Sequence, residues 1–228
     1  MSVLLDPEAG HATQAEAAYW RLREDIVAGR QKAGEKLPFD RLRKLYGFGL
    51  SPLREALSRL AADGLVVARG QRGYWVAPIS RAEFDDITSM RLFVEPEALV
   101  RSIRNATLDW ETAVVAAFHR LNRIEARLDE DPAGSSGLWE AENRRFHLAL
   151  VANCGSPLLL RFAGSLAEQA QRYRRQAVAL QAVPKQKLME EHKALFDAAM
   201  GRSEGLAAEL LKVHIRNTAV GLSRTLFG

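Results

Sequence analysis

Three of the five histidines in this chain, His147, His192 and His214, fall on the apolar stripes of separate predicted helices. Around His192 the stripe reads Leu188, Leu195, Phe196 and Ala199; around His214 it reads Ala207, Leu210, Leu211 and Thr218. Asn143 precedes His147 by one helical turn, so both project from one face. A neutral imidazole is expensive to bury unless its nitrogens find partners. Three such costs in one helical core point to a shared partner, and imidazole is a common ligand of divalent metals.

For any one of them, a hydrogen-bonded core histidine is the plainer reading. Register argues for more. Gly201, Arg202 and Ser203 mark a turn between two helical patterns, which predicts an antiparallel hairpin. His192 lies about 10 residues before that turn and His214 about 12 after it, so at roughly 1.5 Å rise per residue they share one level. His11, in the polar start, and His119, off this pattern, read as ordinary histidines. Arg91 is a further candidate, because it follows Ile87 and precedes Val94 and Ala98 on one helix face. A buried guanidinium needs an anion. Glu95 at i+4 is one partner open to it, and a carboxylate ligand is the other.

The elements that must position these groups come from 228 residues, enough for two modest domains. No uninterrupted apolar run approaches the roughly 20 residues that span a bilayer, and Met1 to Gly10 lacks the pattern of a secretory signal. The single cysteine, Cys154, excludes an intrachain disulfide framework and fits a reducing cytoplasm. Charge is uneven. Residues 20 to 78 carry 12 Lys/Arg against 6 Asp/Glu, whereas residues 79 to 228 carry 20 against 19. A basic front end on a neutral body points to nucleic acid rather than membrane.

After a tail over 1–13, residues 14–78 read as three helices and a two-stranded hairpin. The first helix covers roughly Gln14 to Ala28 and the second about Asp40 to Tyr46. The third follows Gly47-Phe48-Gly49, with Pro52 in its first turn. Leu65 to Arg69 and Tyr74 to Ala77 are β-rich runs around the turn Gly70-Gln71-Arg72-Gly73. This is the pattern of a winged helix-turn-helix, and its polar remainder is Arg41, Ser51, Arg54 and Arg59 with Gln71 and Arg72. Arginines at a helix N-terminus suit guanine edges and phosphates. Residues 79–228 read as an all-α antiparallel bundle of six or seven helices, near 82–106, 109–129, 136–153, 157–180, 185–200 and 204–226. A break is expected near Thr88-Ser89 and a loop over 132–137. The fold class predicted is therefore mainly α.

Together the two halves resemble the GntR family of bacterial transcription regulators, in the FadR-like branch whose ligand domain is called FCD. The resemblance rests on Gly34-Glu35-Lys36-Leu37-Pro38, Pro52-Leu53-Arg54-Glu55-Ala56-Leu57, Asp63-Gly64-Leu65-Val66 and the Gly70 to Val76 wing. In the second half it rests on Arg91 with Glu95, Phe146-His147, Glu191-His192 and His214. It implies a homodimer on a double-stranded DNA operator, with contacts from Arg41, Ser51, Arg54, Gly70, Gln71 and Arg72. It also implies that Asn143, His147, His192 and His214 occupy the positions of a metal-binding set, for zinc first, with nickel and manganese as alternatives. Two departures stand out. Gly49-Leu50 replaces the Ser-Arg that opens many recognition helices of the family, and Asn143 stands where a carboxylate is usual. The stretches Gly49 to Leu57, Val151 to Ser156 and Ala170 to Tyr173 are similar to the glutarate-sensing carbon-starvation regulators of the family. That makes a small carboxylate, such as the dicarboxylate glutarate, the expected effector, with Arg91 as its anchor.

The expectation is thus a cytoplasmic, non-enzymatic DNA-binding regulator, a repressor controlled by a carboxylate at a metal site. The alternative is a metalloenzyme using His147, His192 and His214 beside an accessory DNA module. Three histidines and an open position do occur in catalytic zinc sites. Glu142 and Glu191 adjoin the ligands in sequence but are expected to point off the face that carries them, leaving no clear general base.

Overall fold

The computed structural model describes residues 13–128, 132–178 and 184–228, which divide into two units between Ile79 and Ser80. The tail expected over 1–13 lies outside the described residues except for Thr13, and so does His11.

In the first unit the Thr13 hydroxyl accepts from the Glu16 N–H at 3.1 Å, satisfying a donor that the first turn cannot. Helix α1 (Gln14–Val27) then buries Ala18, Leu22 and Ile26. Helix α2 (Phe39–Tyr46) stops at Gly47, whose φ of 75° places it in the left-handed region that glycine adopts without steric cost. Helix α3 (Leu50–Ala62) starts from Gly49, and Leu53, Ala56, Leu57 and Leu60 give it the apolar stripe that meets α1. Strands β1 (Val66–Ala68) and β2 (Tyr74–Val76) pair antiparallel, with Val67 opposite Trp75. A single 3-10 turn over Gly70–Arg72 closes the hairpin, and Gly73 takes a φ of 105° there.

Every regular element of the second unit is a helix among the described residues. Ser80 caps helix α4 (Arg81–Arg104) through the Glu83 N–H, and Thr107 caps helix α5 (Leu108–Glu125) through the Trp110 N–H. Helices α6 (Pro132–Val151), α7 (Pro157–Val178), α8 (Lys185–Met200) and α9 (Glu204–Phe227) complete it. Leu99, Val114, Leu121, Phe146, Leu150, Leu195 and Leu211 form one apolar core across these helices. Buried ion pairs add fixed geometry: Arg174 grips Glu140 through Nε and Nη2, with Nη2 at 2.7 Å.

Two expectations from sequence need correction. Helix α4 does not break near Thr88-Ser89, because the Thr88 hydroxyl bonds back to the Phe84 carbonyl at 2.8 Å and the ladder runs on. Residues 132–137 are not a loop but the first turns of α6. Proline is well suited to a first helical position, where its missing N–H is not needed, and the buried Trp139 anchors the next turn.

Leu22 is wholly buried between α1 and the rest of the first core. Leu22→Ala should remove about 2–5 kcal/mol from unfolding of this unit, read by urea denaturation. A loss below about 1 kcal/mol would contradict the packing described.

Candidate metal centre and nucleic-acid face

The turn at 201–203 folds α9 back on α8 and brings the His192 and His214 rings to 4.8 Å between centroids. His147 arrives from α6, its ring 5.5 Å from that of His192 and 5.0 Å from that of His214. One ligand atom from each of the three lies within 4.8 Å of the others. The shared level read from the hairpin is present in the structure. His119 lies apart, exposed on α5.

Each buried ring is oriented by a carboxylate. Glu125 Oε1 lies 2.7 Å from His192 Nδ1 and also accepts from the Trp139 indole N–H at 3.2 Å. Glu191 Oε2 lies 2.8 Å from His214 Nδ1, and its other oxygen accepts from the Asn217 amide at 2.6 Å. With Nδ1–H donating outward, Nε2 keeps its lone pair for the centre, as metal-bound histidines commonly require. Glu191 therefore does not point away from the site as its place beside His192 suggested. It crosses from α8 to α9. Glu125 was missed altogether, although it continues the buried stripe Trp110, Val114, Ala117 and Leu121 of α5, an acid where an apolar residue is expected.

Several buried polar atoms of these residues lack partners, Glu125 Oε2 among them. His192 Nε2 and Asn143 Oδ1 are both buried with no hydrogen bond. Buried polar atoms are almost always satisfied; the Asn143 oxygen offers a lone pair, and with Nδ1–H donating to Glu125 a neutral His192 ring offers one too, which a cation or a donor would meet. Three imidazole nitrogens and one amide oxygen form a donor set that suits zinc, nickel or manganese. The residues present fit a divalent ion.

Arg91 is buried, and its Nε and Nη2 bond Glu95 at 2.5 and 3.2 Å. The internal pair open to it from sequence is thus formed. Its third nitrogen, Nη1, has no protein partner among the described residues. The charges of Arg91 and Arg174 disfavour protonation of His147, and that of Arg91 disfavours protonation of His214. Burial, followed by the charges of His214, His192 and these arginines, holds His147 well below the usual imidazole range. Burial also lowers His214, to about 4, against an opposing hydrogen bond from Glu191. For Glu191 burial works upward, but the His214 and Asn217 hydrogen bonds and the charges of His214 and Lys187 leave it lowered overall.

On the first unit, Ser51 and Arg54 are exposed near the start of α3, and Arg54 lies 5.9 Å from the Phe39 ring. Gly70, Gln71 and Arg72 are exposed at the hairpin tip. On β2, Trp75 has Lys36 and Arg69 against its ring, at 5.3 and 5.0 Å, two cations absent from the DNA contacts expected from sequence. Arg41 is tied inward. It pairs with Glu35 and donates to Gln31 Oε1 at 2.6 Å, while Gln31 donates to the Tyr46 hydroxyl at 3.1 Å. Tyr46 in turn bonds Asp25.

The histidine shifts carry a pH signature. His214 has a folded value of about 4 against about 6.5 unfolded, so the unfolded chain binds a proton that the native chain refuses. Metal-stripped protein should hold full stability above pH 6.5 and lose up to about 1.4 kcal/mol per pH unit for each of His147 and His214 on going down toward pH 4. Thermal melts that do not change between about pH 6.5 and 5 would contradict neutral buried imidazoles.

Comparisons with known proteins agree with this architecture. Residues 14–76 match bacterial regulatory proteins of the gntR family, and residues 86–217 match the FCD domain. An uncharacterized HTH-type transcriptional regulator BphR from Paraburkholderia xenovorans is 39% identical over 93% of this chain and 86% of its own length. The HTH-type transcriptional repressor GlaR of Escherichia coli is 34% identical over 89% of this chain and 92% of its own. The solved structure of Escherichia coli McbR/YncC superposes with a TM-score of 0.78 over 94% of this chain and 99% of its own, at 18% identity, a likeness of fold alone. This chain belongs to the GntR family of bacterial transcriptional regulators, in the FadR-like branch that carries an FCD effector-binding domain.

Proposed function

We propose that this regulator is a homodimeric repressor whose operator binding is controlled by a small carboxylate held at a divalent metal among Asn143, His147, His192 and His214. The observation that carries the reading is the cluster itself: ligand atoms of three histidines within 4.8 Å, beside buried lone pairs on His192 and Asn143 that no protein group meets. A bound ion supplies a Lewis acid to which a carboxylate oxygen can attach. Arg91, whose charge acts on His147 and His214, would add a second grip on the acid through the nitrogen that Glu95 leaves unused. Glutarate is the first acid to try, on the similarity of three sequence stretches to glutarate-sensing members of the family. The repressor role follows GlaR, which is described as one. No observation favours the metalloenzyme alternative.

The DNA contacts proposed are Ser51 and Arg54 on α3, Gly70, Gln71 and Arg72 at the wing, and Arg41 at α2. One winged unit reads only a few base pairs, so a dimer on a two-fold site supplies the missing specificity. Phe93 on α4 and Leu158 and Phe162 on α7 offer it an apolar surface; Phe93 is 78% exposed. No helix among the described residues is long and apolar enough to cross a membrane.

Two measurements check this. Arg54→Ala should weaken specific DNA binding by about 1–3 kcal/mol, with two protomers per site by sedimentation. Equal affinity would remove Arg54 from the interface, and one protomer per site would remove the dimer. Calorimetry of glutarate should show binding to metal-loaded wild type, weaker binding to Arg91→Ala and none to metal-free His192→Ala that keeps its far-UV helical signal. Unchanged affinity in both variants would overturn the effector site.

A further inference from the structure

The donor set proposed for the cation carries no charge of its own: three imidazoles and one amide. The negative charge at this centre sits one bond further out. Glu125 has a side chain only 1% exposed, gives one oxygen to His192 and Trp139, and leaves Oε2 buried with no partner. Among the described residues no lysine or arginine pairs with it. Glu191 is 15% exposed and better supported, by Asn217 at 2.6 Å and Lys187 at 3.9 Å. The two buried arginines near the histidines cannot serve, because Arg91 is paired with Glu95 and Arg174 with Glu140. A dry carboxylate with an unmet oxygen is unfavourable unless a positive charge stands close by. The group recorded against it is the His192 ring, at 2.7 Å through Nδ1, and the other nitrogen of that ring, Nε2, is also unmet.

We propose that Glu125 and Glu191 are the counter-charge of this site. Two carboxylates acting through two imidazoles match the charge of a divalent ion and compensate for the neutral Asn143. They are positioning residues. By accepting from Nδ1–H they turn Nε2 inward, raise its basicity and make the empty site electrostatically unbalanced. Glu125, dry and without a cation of its own, carries more of this than Glu191, which has Lys187 beside it. The inference rests on the cation reading above.

The test is zinc affinity of full-length wild type, Glu125→Gln and Glu191→Gln, by competition with a chromophoric chelator, with far-UV circular dichroism as the fold check. Removing the charge at near-constant shape should cost Glu125→Gln about 10–100-fold in zinc affinity, and Glu191→Gln less. Cobalt(II) bound to Glu125→Gln should keep the visible spectrum of the wild-type complex, since the ligand atoms are unchanged. A wild type that binds no zinc overturns the cation reading itself. A wild type that binds zinc, with a folded Glu125→Gln of equal affinity, overturns this inference alone. If Glu125→Gln fails to fold, Glu191→Gln decides: a weaker zinc affinity supports the counter-charge, and an equal one refutes it.

Discussion

An imidazole buried in an apolar bundle must satisfy two nitrogens, and this fold buries two histidines beside a half-buried third. That constraint organises the second unit. Helices α8 and α9 have to meet in one register for His192 and His214 to share a level, and α6 has to cross them at His147. Helix α5 must end with Glu125 turned inward, because His192 Nδ1 has to donate to something. Glu125, Trp139, Glu191 and Asn217 are placed by holding those rings.

Two buried charge pairs in this interior are closed. Arg91 with Glu95 and Arg174 with Glu140 cancel locally, at the desolvation cost such pairs carry. Glu125 meets no lysine or arginine among the described residues; one of its oxygens lies 2.7 Å from His192 Nδ1 and the other is unmet. The first unit arranges its charges differently. Arg41 is fixed by Glu35 and Gln31, in a chain of contacts that ends on Tyr46 and Asp25, so a basic group on α2 is held in place rather than left to sample rotamers. Ordering a side chain in advance removes an entropic cost from any later contact.

How much of this could be read from sequence depends on the range of the interaction. Periodicity exposed the three histidines, because 3.6-residue spacing places them among leucines, and the turn at 201–203 set their level. The wing was legible from Gly70 and Gly73 between two β-rich runs. The carboxylates were not, since Glu125 lies 67 residues from His192 in the chain and spacing says nothing about such a pair. The same kind of signal was nonetheless available on α5, where Glu125 follows Leu121 by four residues on a buried stripe. Glu191 was misread because its neighbour in sequence, His192, is not its partner; its carboxylate reaches across to α9. The run 132–137 misled for another reason: glycine and serine lower helix propensity only modestly, and the helix beyond them recruits the segment.

The metal proposed among His147, His192 and His214 is open to X-ray absorption at the metal edge of zinc-reconstituted protein. One tightly held ion per chain is expected, with three imidazole nitrogens at about 2.0–2.1 Å and an oxygen completing the shell. A spectrum of solvated zinc with no imidazole scattering, from folded protein, would contradict it.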